Sequence, residues 1–134
     1  MNNTDENIIR TVAAVIRNEQ GEILLVRKQG SDTFIQPGGK FEPGETPRKA
    51  LTREVLEELG VSIIEDAVAY IGEYEEQAVN ESNTRVRAKL FNVKVQGEPT
   101  AQAEIAELKW IHPDQVDSVN IAPLSRRYVF GQDE

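Results

Sequence analysis

Glu54, Glu57 and Glu58 stand at spacing i, i+3 and i+4, so a helix that carries them presents three carboxylates on one face. Like charges within about one turn repel by roughly a few tenths of a kcal/mol per neighbouring pair, and Arg53 offsets only part of that. A cation that needs oxygen ligands explains such a cluster, and Mg²⁺ is the natural candidate. A solvated acidic helix face explains it too, and the spacing by itself does not choose.

The elements around the cluster are legible. Gln36-Pro37-Gly38-Gly39 reads as an irregular loop, since Pro37 fixes one backbone angle and two glycines permit turns. Thr46-Pro47 reads as a helix start, a hydroxyl cap followed by proline at the first helical position. The helix should run to Leu59 and stop at a left-handed Gly60. Leu51, Val55 and Leu59, with Leu56 beside them, form its apolar stripe. Upstream, residues 8–16, 22–28 and 33–36 read as strands, the first two joined by a turn at Asn18–Gly21. Downstream, 62–75 and 84–96 alternate as two longer strands, 108–111 as a short one, 113–117 as a helical turn and 124–130 as a last helix. Strands interleaved with helices predict an α/β fold, an α/β/α sandwich around a mixed sheet.

Residues 39–61 resemble the signature of the Nudix hydrolases, G-x5-E-x7-R-E-U-x-E-E-x-G-U with U a bulky aliphatic. Gly39, Glu45, Arg53, Glu54, Val55, Glu57, Glu58, Gly60 and Val61 meet all nine specified positions. The resemblance is to the small MutT-like branch, and one such domain accounts for the whole chain, 1–134. It implies the Nudix fold. It implies that Glu54, Glu57 and Glu58 bind a divalent metal, Mg²⁺ or alternatively Mn²⁺, with a backbone carbonyl of Gly38 or Gly39 as a further ligand. It implies that Arg53 orients a box glutamate and that Glu45 is a structural loop residue. The implied reaction is hydrolysis of a nucleoside diphosphate linked to another group. The physics agrees: a carboxylate-held metal neutralises and orients a pyrophosphate and activates a water, with no covalent nucleophile.

The same resemblance places a glutamate in the loop before the last short strand as a candidate base. Glu104 fits best and Glu107 second. It also makes Asn120 a candidate base-reading amide, whose donors and acceptors suit a purine edge. From the residues themselves, Arg85 and Arg87 fall two apart on a strand and share a face, where they could clamp phosphates or pair with acids. Lys28 and Arg27 could also meet phosphates. Phe34 and Phe41 flank the glycine loop, where either could touch a base or join the core. Trp110 reads as a core or half-buried residue, and His112, before Pro113, as a local cap.

Composition bounds the rest. A chain of 134 residues favours one domain able to bury a core without staples. With no cysteine there is no disulfide, thiolate site or cysteine nucleophile. A net charge of −8 argues against a nucleic-acid polymer as partner, but not against a small nucleotide held locally by cations. The polar, acidic first residues do not resemble a signal peptide, and no apolar run reaches membrane-spanning length, so a cytoplasmic protein is expected. Residues 1–7 and 131–134 are expected to fray. The resemblance covers both monomers and homodimers. No proline stands at 75–80, where ADP-ribose-acting members often carry one, and no tyrosine marks a dinucleoside-polyphosphate enzyme. A nucleoside triphosphate or modified dNTP is therefore the expected substrate. ADP-ribose, a nucleotide sugar, or a non-catalytic nucleotide sensor are the alternatives.

Overall fold

The computed structural model describes residues 7–79 and 81–132. In chain order these form β1 (Asn7–Ile16), β2 (Ile23–Lys28), β3 (Phe34–Ile35), β4 (Gly38–Lys40), α1 (Pro47–Leu59), β5 (Ser62–Gln77), β6 (Thr84–Gln96) and β7 (Ile105–Ile111). A 3₁₀ turn over Pro113–Ser118 and α2 (Pro123–Tyr128) complete them.

The strands divide into two sheets. One is mixed, in the order β4-β1-β6-β5, with β1 parallel to β6 and antiparallel to β4. The other is antiparallel, in the order β3-β2-β7. β1 explains why a fully paired strand can sit at the centre. Its Val12-Ala-Ala-Val-Ile16 run is buried on both sides, the pattern of an interior strand. Val12, Ala14 and Ile16 meet Leu51, Val55 and Leu59 of α1 in the main core. Ala13 faces the other way, in a smaller cluster with Ala88 and Leu90, against which Leu124 and Tyr128 of α2 pack. The mixed sheet thus lies between the two helices, and the expected sandwich stands with its strands split into two sheets.

α1 forms as its sequence dictates. Thr46 accepts a hydrogen bond from the Lys49 amide at 3.2 Å, Pro47 opens the helix, and Gly60 closes it at φ +70°. Leu51, Val55 and Leu59 are fully buried, each contributing roughly 1.5–3 kcal/mol by leaving water. Leu56 does not join them; it is exposed, because its direction diverges from the stripe by about one residue step of 100°.

The segment expected to be wholly irregular is not. Gly38–Lys40 pairs antiparallel with Thr11–Ala13, Gly38 opposite Ala13. Glycine makes this approach possible: a Cβ on Gly38 would stand 2.0 Å from the Val12 carbonyl oxygen, and its φ of +151° disfavours other residues. Gly38→Ala is therefore expected to destabilise the fold by at least about 1–3 kcal/mol, the range for overpacking, which a urea titration would read as a lowered midpoint. Asn7 already pairs with Thr84 in β1, so the expected frayed end does not reach it; 1–6 and 133–134 lie outside the described residues. β7 begins at Ile105, earlier than the sequence indicated.

Candidate active site

α1 and the Gly38–Lys40 strand meet at one wall of a cleft of about 510 Å³. Gln36, Gly38, Gly39, Lys40, Glu54, Lys28 and Glu104 line that end of it. Arg53 organises the wall. Its Nε and Nη2 donate to the two oxygens of Glu45 at 2.6 and 2.9 Å, a forked pair that fixes the loop before the helix. Its Nη1 donates to Glu54 at 3.0 Å, and Nη2 also reaches the Lys40 carbonyl at 3.1 Å. One guanidinium therefore joins the loop, the short strand and the helix. The Arg53 bond, with the Glu42 amide as a second donor, draws the Glu45 carboxyl down to about 2, so this clasp holds throughout the neutral range.

Glu54 and Glu58 turn toward each other on the inner side of α1. Glu58 is 3% exposed, and its Oε1 accepts from the Gly38 amide at 3.1 Å. Burial pushes its carboxyl well above the usual range, and the neighbouring Glu54 adds to this against the Gly38 bond. Gly39 leaves the room: a Cβ there would come within 2.5 Å of Glu54 Oε2. Glu57 takes a different course. Its side chain is 53% exposed and lies 3.4 Å from Arg53 Nη1. Among the described residues no group of three carboxylate, histidine or cysteine side chains converges on one point. The shared face expected of Glu54, Glu57 and Glu58 thus resolves into an inward pair and an outward third.

The donor set fits a hard cation. Two carboxylates packed together offer only acceptor oxygens, and the glycine backbone passes them without side chains. A buried carboxyl such as Glu58 beside a second, part-buried one is costly unless one of them is protonated or a cation lies between them.

Glu104 is at the cleft mouth, its side chain 68% exposed and its carboxylate 3.9 Å from Lys28 Nζ. Glu107 lies in β7 and accepts from Arg27 at 3.1 Å, away from the cleft lining. The other sequence candidates are not gathered here. Arg85 and Arg87 both grip Glu75, at 2.7 and 2.8 Å; strand alternation turns them to the opposite face from Val86 and Ala88, which do line the cleft. Asn120 donates to the Asp32 carbonyl and the Thr33 hydroxyl, tying the chain before α2 to the β2–β3 turn. Phe41 packs half-buried on the main core, as does Trp110. His112 Nδ1 accepts from the Asp114 amide and caps the 3₁₀ turn.

Sequence reasoning missed Gln36, Lys40 and Ser125. Lys40 follows the glycine pair directly and Gln36 stands two residues before it, and that nearness was the available signal; Ser125 gave none, since its burial depends on how α2 docks.

Comparison with known proteins agrees with this fold. The family model described as NUDIX domain matches residues 8–130. An 8-oxo-dGTP diphosphatase from Haemophilus influenzae is 33% identical over 131 residues, covering 93% of this chain and 91% of that protein. An RNA pyrophosphohydrolase from Yersinia enterocolitica is 41% identical over 58 residues, 43% of this chain and 33% of that protein. A MutT protein from Methanosarcina mazei Go1 superposes with a TM-score of 0.76 at 28% identity, over 96% of this chain and 94% of that one. The chain belongs to the NUDIX domain family, as a MutT-like Nudix hydrolase.

Proposed function

We propose that the protein hydrolyses a nucleoside triphosphate, ordinary or with a modified base, to the monophosphate and pyrophosphate, using Mg²⁺ or Mn²⁺. The carrying observation is Glu54, which lines the end of a cleft that also holds Lys28 and Lys40, backed by the buried Glu58 carboxyl beside it. Glu54 and Glu58 would hold the cation, with Glu57 and a carbonyl of Gly38 or Gly39 as further ligands. When bound, it supplies charge neutralisation at the phosphates and a more acidic water. Arg53 keeps Glu54 aimed inward. Lys28 and Lys40 offer positive charge to a polyphosphate entering the cleft. Glu104, unburied and beside the same cleft, receives the proton of the attacking water. Arg85, Arg87, Phe41 and Asn120 have no part in this reading.

The likeness to an 8-oxo-dGTP diphosphatase over nearly the full length of both chains supports a triphosphate substrate. No described helix is long and apolar enough to cross a membrane, and a cytoplasmic place beside the nucleotide pool fits the proposal. A panel of dNTPs, NTPs, 8-oxo-dGTP, ADP-ribose, nucleotide sugars and dinucleoside polyphosphates, assayed with Mg²⁺, tests it. The best kcat/KM is expected on a triphosphate, and ¹⁸O-water would show which phosphorus takes the oxygen. A clear preference for ADP-ribose overturns the substrate. Tight binding without hydrolysis favours a sensor.

The base assignment has its own test. Glu104→Gln should lower kcat while changing Mg²⁺ affinity less than Glu58→Gln does, and Glu107→Gln, which removes only a strand ion pair, should be near wild type. The reverse ranking sinks the assignment.

A further inference from the structure

Alternation along β1 sets Ile9, Thr11 and Ala13 on one face and Val12 on the other. Val12 packs against α1, whereas Ala13 packs with Ala88 and Leu90 on the α2 side. The Thr11 side chain points the way Ala13 does, into the cleft that Ile9, Thr11 and Ala13 all line. Thr11 is half-buried. Its hydroxyl makes no hydrogen bond to any described residue. Nor is it sealed off, because Gln36 Oε1 is the one buried side-chain polar atom left unpaired among the described residues. The Thr11 hydroxyl is therefore both unpaired and open to the cleft.

Nothing in the fold asks for a hydroxyl at this place. Its neighbours on the cleft floor are Ile9, Ala13, Val86 and Ala88, and valine has the same branched shape and suits a strand as well. The strand register says what passes over it. Ala13 stands opposite Gly38, whose amide holds Glu58. Thr11, about 6.5 Å further along β1, stands between Lys40 on one side and Ala88 on the other. Ile9, about 13 Å from Ala13, lies beside Val86, where Val79 also lines the cleft. The floor thus runs from carboxylates, past a lysine and a free hydroxyl, to an apolar end. A nucleoside triphosphate carries its groups in the same order: phosphates that need cations, a hydroxylated sugar, and a flat base.

We propose that Thr11 is a sugar-recognising residue: its hydroxyl exchanges a hydrogen bond with a hydroxyl of the bound nucleotide's sugar, so that the protein selects among triphosphates by their sugar. The inference rests on the nucleotide reading given above and adds to it the residue that holds the sugar. A threonine hydroxyl both donates and accepts, so it matches a sugar hydroxyl in either sense. Lys40, its neighbour across β4, is placed for the phosphate to which that sugar is joined. A substrate lacking the sugar hydroxyl forfeits one neutral hydrogen bond, about 10-fold in affinity.

The test compares triphosphates that differ by one sugar hydroxyl and share base and phosphates: dGTP against its 2′,3′-dideoxy analogue for the 3′-hydroxyl, and GTP against dGTP for the 2′-hydroxyl. Wild-type protein with Mg²⁺ is expected to favour the hydroxyl-bearing member of at least one pair by about 10-fold in kcat/KM, chiefly through KM. Thr11→Val should bring that ratio within about two-fold of unity, and Thr11→Ser, which keeps the hydroxyl, should retain it. Wild-type ratios near unity in both pairs overturn the proposal. So does a preference that Thr11→Val preserves, or one that Thr11→Ser loses as fully as Thr11→Val, since that assigns the effect to packing. If Thr11→Val does not fold, Thr11→Ala takes its place, because alanine already stands beside it at Ala13 and Ala88. Failure of every triphosphate to be hydrolysed would count against the functional reading, a distinct result. The same pairs compared by Kd with Ca²⁺ in place of Mg²⁺ then decide the role of Thr11, and no binding of any of them overturns it as well.

Discussion

Glu58→Gln and Glu54→Gln are each expected to lower turnover by about 10²-fold or more, the scale of losing one strong electrostatic contributor at a reacting centre. The amide keeps the shape of the side chain and withdraws its charge from the candidate ligand pair. Folding should behave in the opposite sense. Glu58 holds its proton more tightly folded than unfolded, chiefly because it is buried. An acid raised in this way makes the metal-free protein lose stability as pH rises from the ordinary carboxylate range through the raised value, because there the native state binds more protons than the unfolded one. Glu58→Gln removes that dependence, so at pH 8 without metal it should melt above wild type, and added Mg²⁺ should raise the wild-type melting temperature more than the variant's. Wild-type turnover at saturating Mg²⁺ in both variants would mean the metal centre is elsewhere. Glu57→Gln adds a finer distinction. Its side chain is outward against Arg53, so a loss comparable to Glu58→Gln would mean that Glu57 swings inward when metal arrives, and a minor effect that the helix supplies two ligands.

Gly39→Ala is expected to cost activity on a similar scale with little loss of fold. No positive φ restricts Gly39, yet an added methyl would overlap the Glu54 carboxylate. The carboxylate is the movable partner, so it would be displaced from the inward pair while the strand holds. Displacement of about 1 Å in a positioned group can cost 10²-fold in rate. The expected readouts are a raised Mg²⁺ requirement, a lowered kcat and a melting temperature close to wild type. Gly38→Ala should show the converse, since its obstacle is the Val12 backbone, which cannot step aside. Equal effects of the two alanines on stability and rate would contradict this division of labour between adjacent glycines.

Much of the site could be read in the sequence because its signals are local. Thr46, Pro47 and Gly60 bracket α1 by cap chemistry confined to a few residues each, and the structure shows those caps. The motif assigns Arg53 to a box glutamate and leaves Glu45 a loop residue; the structure gives Arg53 both Glu54 and the fork to Glu45. What escaped was set by long-range pairing. The short strand at Gly38–Lys40 has two glycines in three residues and no strand propensity of its own; it exists because β1 lies beside it. Asn120 and Phe41 have plausible chemistry for a base, but the first is taken up by the β2–β3 turn and the second by the core. Arg85 and Arg87 were correctly placed on one face, but which face looks into the cleft depends on the register of β6 with β1 and β5.

The parallel pairing of β1 with β6 also governs how the chain reaches this structure. Asn7 lies opposite Thr84 and Ile16 opposite Val93, so the central strand of the mixed sheet has no neighbour on that side until most of the chain has been synthesised. During that interval Val12-Ala-Ala-Val-Ile16, apolar and without a charge, is an unpaired edge suited to joining another chain. Closing so distant a contact is slow. Substitutions that weaken β6 should therefore lower soluble yield through nascent-chain aggregation before any defect shows in the protein that does mature, and expression at lower temperature or slower rates should recover them.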